Sequence, residues 1–222
     1  MKLIFTVALL LSFTYPQSEL FNITDGSAKE IVYSSSFWLS GSPMIDPMSN
    51  NRLIIETGLS SILVAANSNT FKYPNLDVGI KVTKNLSLTY KSYGFKSGND
   101  HPQITGGGLQ YYFGGKDTLN WSTTLQRIDL KGLEYFGLTS LLIDIRKWFQ
   151  WNDLTFRIGM GTNFFKERSF LGDHDLPKTM EGQMNFIGFD FAIPISVMIL
   201  GLENRITPHR SIVTFFIQKE IF

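Results

Sequence analysis

Apolar and polar residues alternate with a period of two along much of this chain. Every even position of residues 76–83 is apolar, and after Lys84-Asn85 the same pattern returns in residues 86–91. It recurs in residues 119–126 and 154–163. Such alternation over about four to eight residues is typical of a β-strand with one buried face. Because no stretch shows a convincing helical period, the pattern predicts an all-β protein.

The alternating segments predict ten antiparallel strands. They cover residues 52–65, 75–84, 86–95, 103–114, 119–130, 135–147, 153–165, 183–193, 196–205 and 211–222. Within the fifth strand the apolar phase changes, since Ile128 and Leu130 lie on its otherwise polar side. This change predicts a β-bulge near Gln126-Arg127.

The connections between the predicted strands sort by length onto the two ends of the sheet. One end has short connections at 84–85, 115–118, 148–152 and 194–195, whereas the other has longer ones at 66–74, 94–102, 167–182 and 204–210 and a short one at 131–134. Bacterial transmembrane barrels have an even number of strands, short periplasmic turns and longer outer loops. A soluble β-sandwich also alternates but gives no reason for this sorting. The sequence therefore favours an antiparallel up-and-down transmembrane β-barrel of about ten strands.

Both ends of the chain carry signals of export. Met1-Lys2 and the apolar stretch Leu3–Phe13 indicate a secretory signal peptide, which we assign to residues 1–18. The apolar stretch is shorter than the roughly 20 residues of a membrane-spanning helix. At the other end, the strand-like run Ser211–Phe222 closes on an aromatic residue.

An exported chain that ends in this way resembles a bacterial outer-membrane β-barrel. The resemblance implies a Gram-negative cell envelope, contact with outer-membrane lipid, and insertion by the barrel-assembly machinery. The last strand leaves open which of its faces meets lipid, because Phe216 and Phe222 share one phase while Val213, Phe215 and Ile217 share the other.

Residues 19–50 precede the predicted barrel domain of residues 51–222. We predict an N-terminal periplasmic or plug segment here, in which Glu30–Trp38 forms a short strand or a plug. Its Asp46-Pro47-Met48-Ser49 stretch resembles the Asn-Pro-small segment of fatty-acid-transporter-like barrels.

The composition of the chain argues against several classes of function. Charged residues make up 18% of the chain and the net charge is +1, which argues against nucleic acid as a partner. The chain has no cysteine, so neither a disulfide nor a lipid-modified cysteine anchor is available. We find no Gly-rich phosphate loop, zinc-ligand spacing or nucleophile elbow, and therefore predict no cofactor, no metal site and no catalytic residue.

The polar face of the predicted strands carries eight charged residues. In a membrane barrel this face lines the interior. The acids are Glu56, Asp77, Asp144 and Asp190, and the bases are Lys81, Lys91, Arg146 and Arg157. A partly dry interior tolerates charges only when they are paired, so equal numbers predict an ion-pair network that largely fills a narrow lumen. The predicted role is structural, or porin-like but restricted passage of small or hydrophobic solutes.

Two alternative functions would use the outer loops. His101, His174 and His209 fall in these loops, the first two beside aspartates. Asp/His pairs can activate water, as in ten-stranded outer-membrane proteases, or bind a divalent metal. His209-Arg210-Ser211 with Glu203 or Glu220 resembles the arrangement of a lipid A deacylase, in which histidine activates serine. The other alternative is an accessory barrel that binds an unidentified protein through its outer loops.

Overall fold

Ten antiparallel strands form a closed up-and-down barrel in the computed structural model, which describes residues 20–21, 28–64, 67–115, 118–170 and 178–221. The strands are β1 (Leu53–Val64), β2 (Asn67–Lys81), β3 (Leu86–Gly94), β4 (Gln103–Gly115), β5 (Thr118–Lys131), β6 (Phe136–Trp151), β7 (Leu154–Ser169), β8 (Thr179–Ile195), β9 (Met198–Ile206) and β10 (Arg210–Ile221). Each strand pairs with its neighbours in sequence, and β1 closes the ring against β10. The predicted all-β class, strand number and topology are confirmed.

The two ends of the barrel differ in their connections. The turn end holds the C-terminal end of β10 and the connections at 82–85, 116–117, 152–153 and 196–197. The loop end holds the connections at 65–66, 95–102, 132–135, 170–178 and 207–209. The predicted signal peptide and the terminal Phe222 lie outside the described residues.

Strand β2 begins much earlier than predicted, and the predicted long loop at 66–74 is wrong. The early part of β2 is polar and contains Pro74, a composition that is typical of a loop. This proline is tolerated because β2 pairs with β3 only from Val78 to Lys81. The Pro74 carbonyl oxygen accepts a hydrogen bond of 2.8 Å from the Tyr93 hydroxyl of β3. Its backbone therefore faces the unpaired side, where a missing N–H breaks no strand pairing.

The predicted β-bulge near Gln126-Arg127 is also wrong. At these residues β5 pairs without interruption with both β4 and β6. Gln126, Ile128 and Leu130 are all buried and share one face of the strand. What changes along β5 is the content of the lumen, which is polar towards the turn end and apolar towards the loop end.

The outer surface of the barrel is largely apolar. Large exposed side chains on it include Ile80, Leu88, Ile143, Ile158 and Phe191. In the last strand, Phe215 is 63% exposed whereas Phe216 is 4% exposed and faces the lumen. The phase that contains Val213, Phe215 and Ile217 therefore forms the outer face.

Aromatic side chains collect on the outer surface near the turn end. The Phe113 ring stacks between the rings of Tyr111 and Trp121, with centroid distances of 6.2 Å and 6.3 Å. The rings of Phe149 and Phe156 stack with their centroids 5.0 Å apart. Transmembrane barrels carry such aromatic girdles at the interfaces of the bilayer.

The internal segment, residues 28–50, runs through the lumen from the loop end to the turn end. It begins with the helix α1 (Ala28–Leu39), which is packed among apolar side chains of the wall. Upstream of it, the Leu20 N–H donates to Ser97 Oγ at 3.2 Å, which puts Leu20 at the loop end. No helix in the described part of the chain is long and apolar enough to cross a membrane.

Candidate functional site

The barrel wall binds the C-terminal end of α1 by side-chain hydrogen bonds. Asn163 of β7 donates from Nδ2 to the Ser36 carbonyl oxygen at 3.0 Å and to the Ser36 hydroxyl at 2.7 Å. Arg205 of β9 donates from Nη1 to the Phe37 carbonyl oxygen at 2.8 Å. Ser40 donates to the same two carbonyl oxygens, from its N–H to Ser36 at 3.2 Å and from its hydroxyl to Phe37 at 2.8 Å. The wall thus adds second donors to carbonyl groups at the end of the helix, where donors from the helix backbone run out. The guanidinium also places a positive charge at the negative end of the helix dipole.

Two glutamines bind the extended backbone that follows α1. Gln126 of β5 donates from Nε2 to the Gly41 carbonyl oxygen at 2.8 Å. Gln110 of β4 donates from Nε2 to the Pro43 carbonyl oxygen at 2.9 Å. No strand pairs with this part of the internal segment in the described structure. Buried backbone groups need partners, and here long amide side chains provide them.

Lys81 binds the internal segment where it leaves the lumen at the turn end. Its Nζ donates to the carbonyl oxygens of Asp46 at 2.9 Å and Pro47 at 3.0 Å, and also to that of Ser49. The Asp46 carboxylate accepts the Met48 N–H at 2.8 Å and so shapes the turn. Burial raises the pKa of the Asp46 carboxyl above its ordinary value. Lys81 thus acts as a clamp on backbone oxygens, although the sequence predicted an ion-pair partner for it.

Close packing adds to these hydrogen bonds at Gly79. A Cβ atom added there would lie 2.4 Å from Cδ1 of Ile45 in the internal segment, closer than van der Waals contact allows. A larger residue at this position of β2 would therefore force the end of the Ile45 side chain to move.

A network of buried charges lies beside the internal segment, with Arg146 at its centre. Its guanidinium donates to Asp144 at 2.9 Å, Asp190 at 2.5 Å and Glu203 at 3.0 Å. Arg157 donates from Nε to the same Asp190 oxygen at 2.8 Å. All five side chains are at most 8% exposed. Pairing at this depth offsets much of the cost of removing the charges from water.

A second, smaller cluster lies on β1, β2 and β3. Lys91 pairs with Asp77 at 2.7 Å, and both side chains are 3% exposed. Glu56 stands directly opposite Asp77 in the strand register and accepts the Met44 N–H of the internal segment at 3.2 Å. Glu56 is therefore a further wall residue that binds the backbone of this segment, here as an acceptor.

The eight charged residues that the sequence assigns to the lumen are all buried in the barrel. They divide into the network of Asp144, Arg146, Arg157 and Asp190, the pair of Asp77 and Lys91, and the two side chains Glu56 and Lys81 that bind the internal segment. Among the described residues no ion pair joins these groups to one another, although Asp77 lies close enough to Glu203 and Arg205 to interact electrostatically.

Sequence reasoning missed two members of the large network, Glu203 and Arg205. Arg205 Nε lies 3.4 Å from Glu203 Oε1, so this pair joins the network to the contact at Phe37. Both residues lie on the polar, inward face of β9. Leu200 and Leu202 lie on the other face of the same strand. Period-two alternation in the predicted strand 196–205 was the signal that could have found them.

The loop half of the lumen is closed by aromatic packing. Trp38 of α1 stacks on Tyr73 with ring centres 4.6 Å apart and donates from Nε1 to Asn75 Oδ1 at 2.9 Å. Tyr33 packs edge-on against Phe165 at 4.8 Å. Together with the hydrogen bonds at its C-terminal end, these ring contacts hold α1 against the wall on several sides.

A cavity of about 810 Å³ opens at the turn end. Its lining includes Lys81, Asn85 and Phe113 from the wall, and it is bounded by Pro47 and Ser49 of the internal segment. Because Phe113 faces outwards, this cavity lies at the rim of the barrel, and the internal segment forms part of its wall.

The two described histidines of the alternative functions do not lie together. His101 and His209 are exposed in separate connections at the loop end, and His174 with its neighbouring aspartates lies outside the described residues. Glu220 lies near the opposite end of β10 from His209 and Ser211. Within the described residues no group of three or more histidine, cysteine or acidic side chains could hold a metal.

No family model and no curated protein matches this sequence. Among solved structures, Neisserial surface protein A is similar with a TM-score of 0.35 and 9% identity, covering 78% of this chain and 98% of that chain. The attachment invasion locus protein Ail of Yersinia pestis is similar with a TM-score of 0.27 and 12% identity. Ail bound to the heparin analogue sucrose octasulfate gives 0.28 and 11%, and coverage is 78% of this chain and 98% of Ail in both cases. Likeness at this level does not bear on function.

Proposed function

We propose that this protein is a bacterial outer-membrane β-barrel that is closed at rest by its own internal segment. Its role is then structural, or the restricted passage of small or hydrophobic solutes when the segment moves. We assign it no catalytic activity. The turn end faces the periplasm and the loop end faces the outside of the cell.

The outer surface supports the membrane location. Exposed apolar side chains cover the wall, and aromatic rings cluster near the turn end. Every strand pairs on both sides over at least part of its length. A bilayer accepts strands only as a closed barrel, because lipid offers no hydrogen bonds to unpaired backbone groups.

The binding of the internal segment is the observation that carries the closed state. Wall side chains hold its backbone from Ser36 to Ser49. Each buried hydrogen bond contributes only about 0.5–1.5 kcal/mol, yet breaking one leaves a buried polar group without a partner. The internal segment therefore stays in the lumen until several of these hydrogen bonds are lost at the same time.

Planar-bilayer recording of the refolded protein tests this proposal. We expect the wild type to show no stepwise conductance. A triple variant, Lys81→Met with Gln110→Ala and Gln126→Ala, removes donors to the segment and should show intermittent openings. A steady open pore in the wild type would contradict the closed state.

A disulfide offers a matched control because the chain has no cysteine. The Ile45 side chain lies against Gly79, and Ile45→Cys removes the Cδ1 atom that a Cβ atom at position 79 would meet, so we place the cross-link between these two positions. Adding Ile45→Cys and Gly79→Cys to the triple variant should abolish openings under oxidising conditions and restore them on reduction. Openings that ignore the cross-link would arise elsewhere in the barrel.

A further inference from the structure

The loop half of β8 has a strand on one side only. Strand β7 pairs with β8 as far as Thr179, but β9 pairs with it only from Ile187 to Ile195. Strand β9 ends at Ile206, and the chain turns back into β10 at once. Within the described residues, Thr179–Phe186 is thus a free strand edge.

The backbone direction of this edge follows from two hydrogen bonds. The Met180 N–H donates to Glu167 Oε2 of β7 at 3.1 Å, and the Ser169 N–H of β7 donates to the Lys178 carbonyl oxygen. Even-numbered residues here therefore direct their backbone groups towards β7. Consecutive residues of a strand point to opposite sides, so the odd-numbered residues point to the open side. These are Thr179, Glu181, Gln183 and Asn185.

The free edge lies above the apolar part of the outer surface. Its outward side chains are polar: Glu181 pairs with Lys166 at 2.6 Å, and Gln183 donates to Asn185 Oδ1 at 2.9 Å. From Ile187 towards the turn end the outward side chains of β8 become apolar, and at that residue β9 begins to pair. Open edges do not occur in lipid but are tolerated in water. The edge therefore projects beyond the bilayer.

We infer that this free edge binds an extended, acidic segment of a partner polypeptide outside the cell. An unpaired strand edge offers regularly spaced N–H and C=O groups, and an extended peptide satisfies them by adding one more strand. The inference goes beyond the proposed function and takes from it only the outward orientation of the loop end. A second copy of the chain is the competing occupant.

The charges around the edge select an acidic partner. Behind it, Lys29 and Arg210 lie over the Tyr33 ring at 5.8 Å and 5.3 Å, and Tyr33 packs against Phe165. Lys178 precedes the edge and is exposed. Three acids lie among these bases: Glu181 pairs with Lys166, Glu30 lies near Arg210, and Glu167 accepts the Met180 N–H. Because Arg168 opposite Thr179 is also exposed, the five bases outnumber the three acids and the surroundings carry an excess of positive charge. Acidic side chains on the added strand would complement it.

Peptide binding to the full-length protein in detergent micelles tests this inference. The probe is a fluorescent peptide of alternating threonine and glutamate, as long as the free edge, read by fluorescence anisotropy. Gln183→Pro removes an N–H that points to the open side and that no described residue uses. We expect it to weaken binding by about tenfold or more. Gln183→Ala keeps this N–H and should bind like the wild type, and a lysine-for-glutamate peptide should bind about tenfold more weakly.

Three results would overturn the inference. The first is equal binding by the proline and alanine variants, or no binding by the wild type. The second is equal affinity for the acidic and basic peptides. The third is hydrogen exchange that finds the amides of Glu181 and Gln183 protected without peptide, because a second copy or another segment would then cover the edge. A closed barrel that is still folded migrates differently on a detergent gel before and after boiling. If every variant keeps this difference, a loss of peptide binding cannot be attributed to loss of the barrel fold.

Discussion

Individual charged side chains fill two different roles inside this barrel. Arg146 bonds to three carboxylates at once, so it balances charges that have no access to water. In the described part of the chain no carboxylate forms an ion pair with Lys81, which instead binds three carbonyl oxygens of the internal segment. The first role stabilises the wall, whereas the second fixes the internal segment to it.

Replacement of Arg146 should measure the first role. Arg146→Ala leaves Asp144 and Glu203 buried with one cation fewer, and breaking such a pair costs about 3–5 kcal/mol. The control Lys166→Ala breaks a pair whose side chains are 63% and 64% exposed and should cost roughly 0–1 kcal/mol. Urea unfolding in lipid vesicles gives both free energies. Equally small values would indicate a lumen filled with screening water.

The charged residues of the lumen could be predicted from period two, but their partners could not. Alternation places Glu56 and Lys81 on the inner face whatever surrounds them. Their partners are backbone groups of Met44, Asp46 and Pro47. Every residue carries such groups, so no residue type in the sequence indicates them.

At the scale of elements, α1 depends on the barrel around it. A helix of 12 residues is marginal in water by itself, and eight of its residues are buried. It contains Ser34, Ser35 and Ser36 in succession, which favour helices weakly. Packing and wall donors must therefore supply most of its stability.

Asn163→Leu should loosen α1 without opening the wall. The change removes both donated hydrogen bonds to Ser36 and the acceptor of the buried Ser140 hydroxyl, at a cost of about 1–3 kcal/mol. The Ser36 carbonyl oxygen keeps the Ser40 N–H as a donor. Hydrogen exchange of the α1 amides should accelerate by about tenfold to a hundredfold, while the strand amides stay protected. The control Asn185→Leu changes an exposed asparagine of β8 and should leave α1 unaffected. Equal acceleration in both variants would argue against a specific contact.

Strands were predictable because alternation persists wherever one face meets the lumen and the other is apolar. Alternation no longer indicates the structure where this contrast between the two faces disappears. The start of β2 is polar and holds Pro74, and the loop half of β5 has apolar residues on its inner face. Helix α1 is surrounded by wall, so it lacks the one-sided apolar stripe that marks a surface helix. Glu30–Trp38 therefore gave no helical signal.

For the whole molecule, the direction of the internal segment sets at which end of the barrel the described chain starts. Leu20 bonds to the 95–102 connection at the loop end, and Leu53 starts β1 at the turn end, opposite Ile221. An even number of strands puts the start of β1 and the end of β10 at the same end of the barrel, which is the turn end. In the structure the described chain nevertheless starts and ends at opposite ends of the barrel.

Epitope accessibility on intact cells tests this direction together with the outer-membrane location. An epitope inserted between the predicted signal peptide and Leu20 should be detected by antibody, because the loop end faces outwards in our proposal. The same epitope at Lys84-Asn85 in the turn end should be detected only after the outer membrane is opened. If both are hidden, the segment enters the lumen from the periplasm or the barrel is not at the surface. If only the Lys84-Asn85 epitope is detected, the barrel is inverted, and the free edge of β8 could not meet a partner outside the cell.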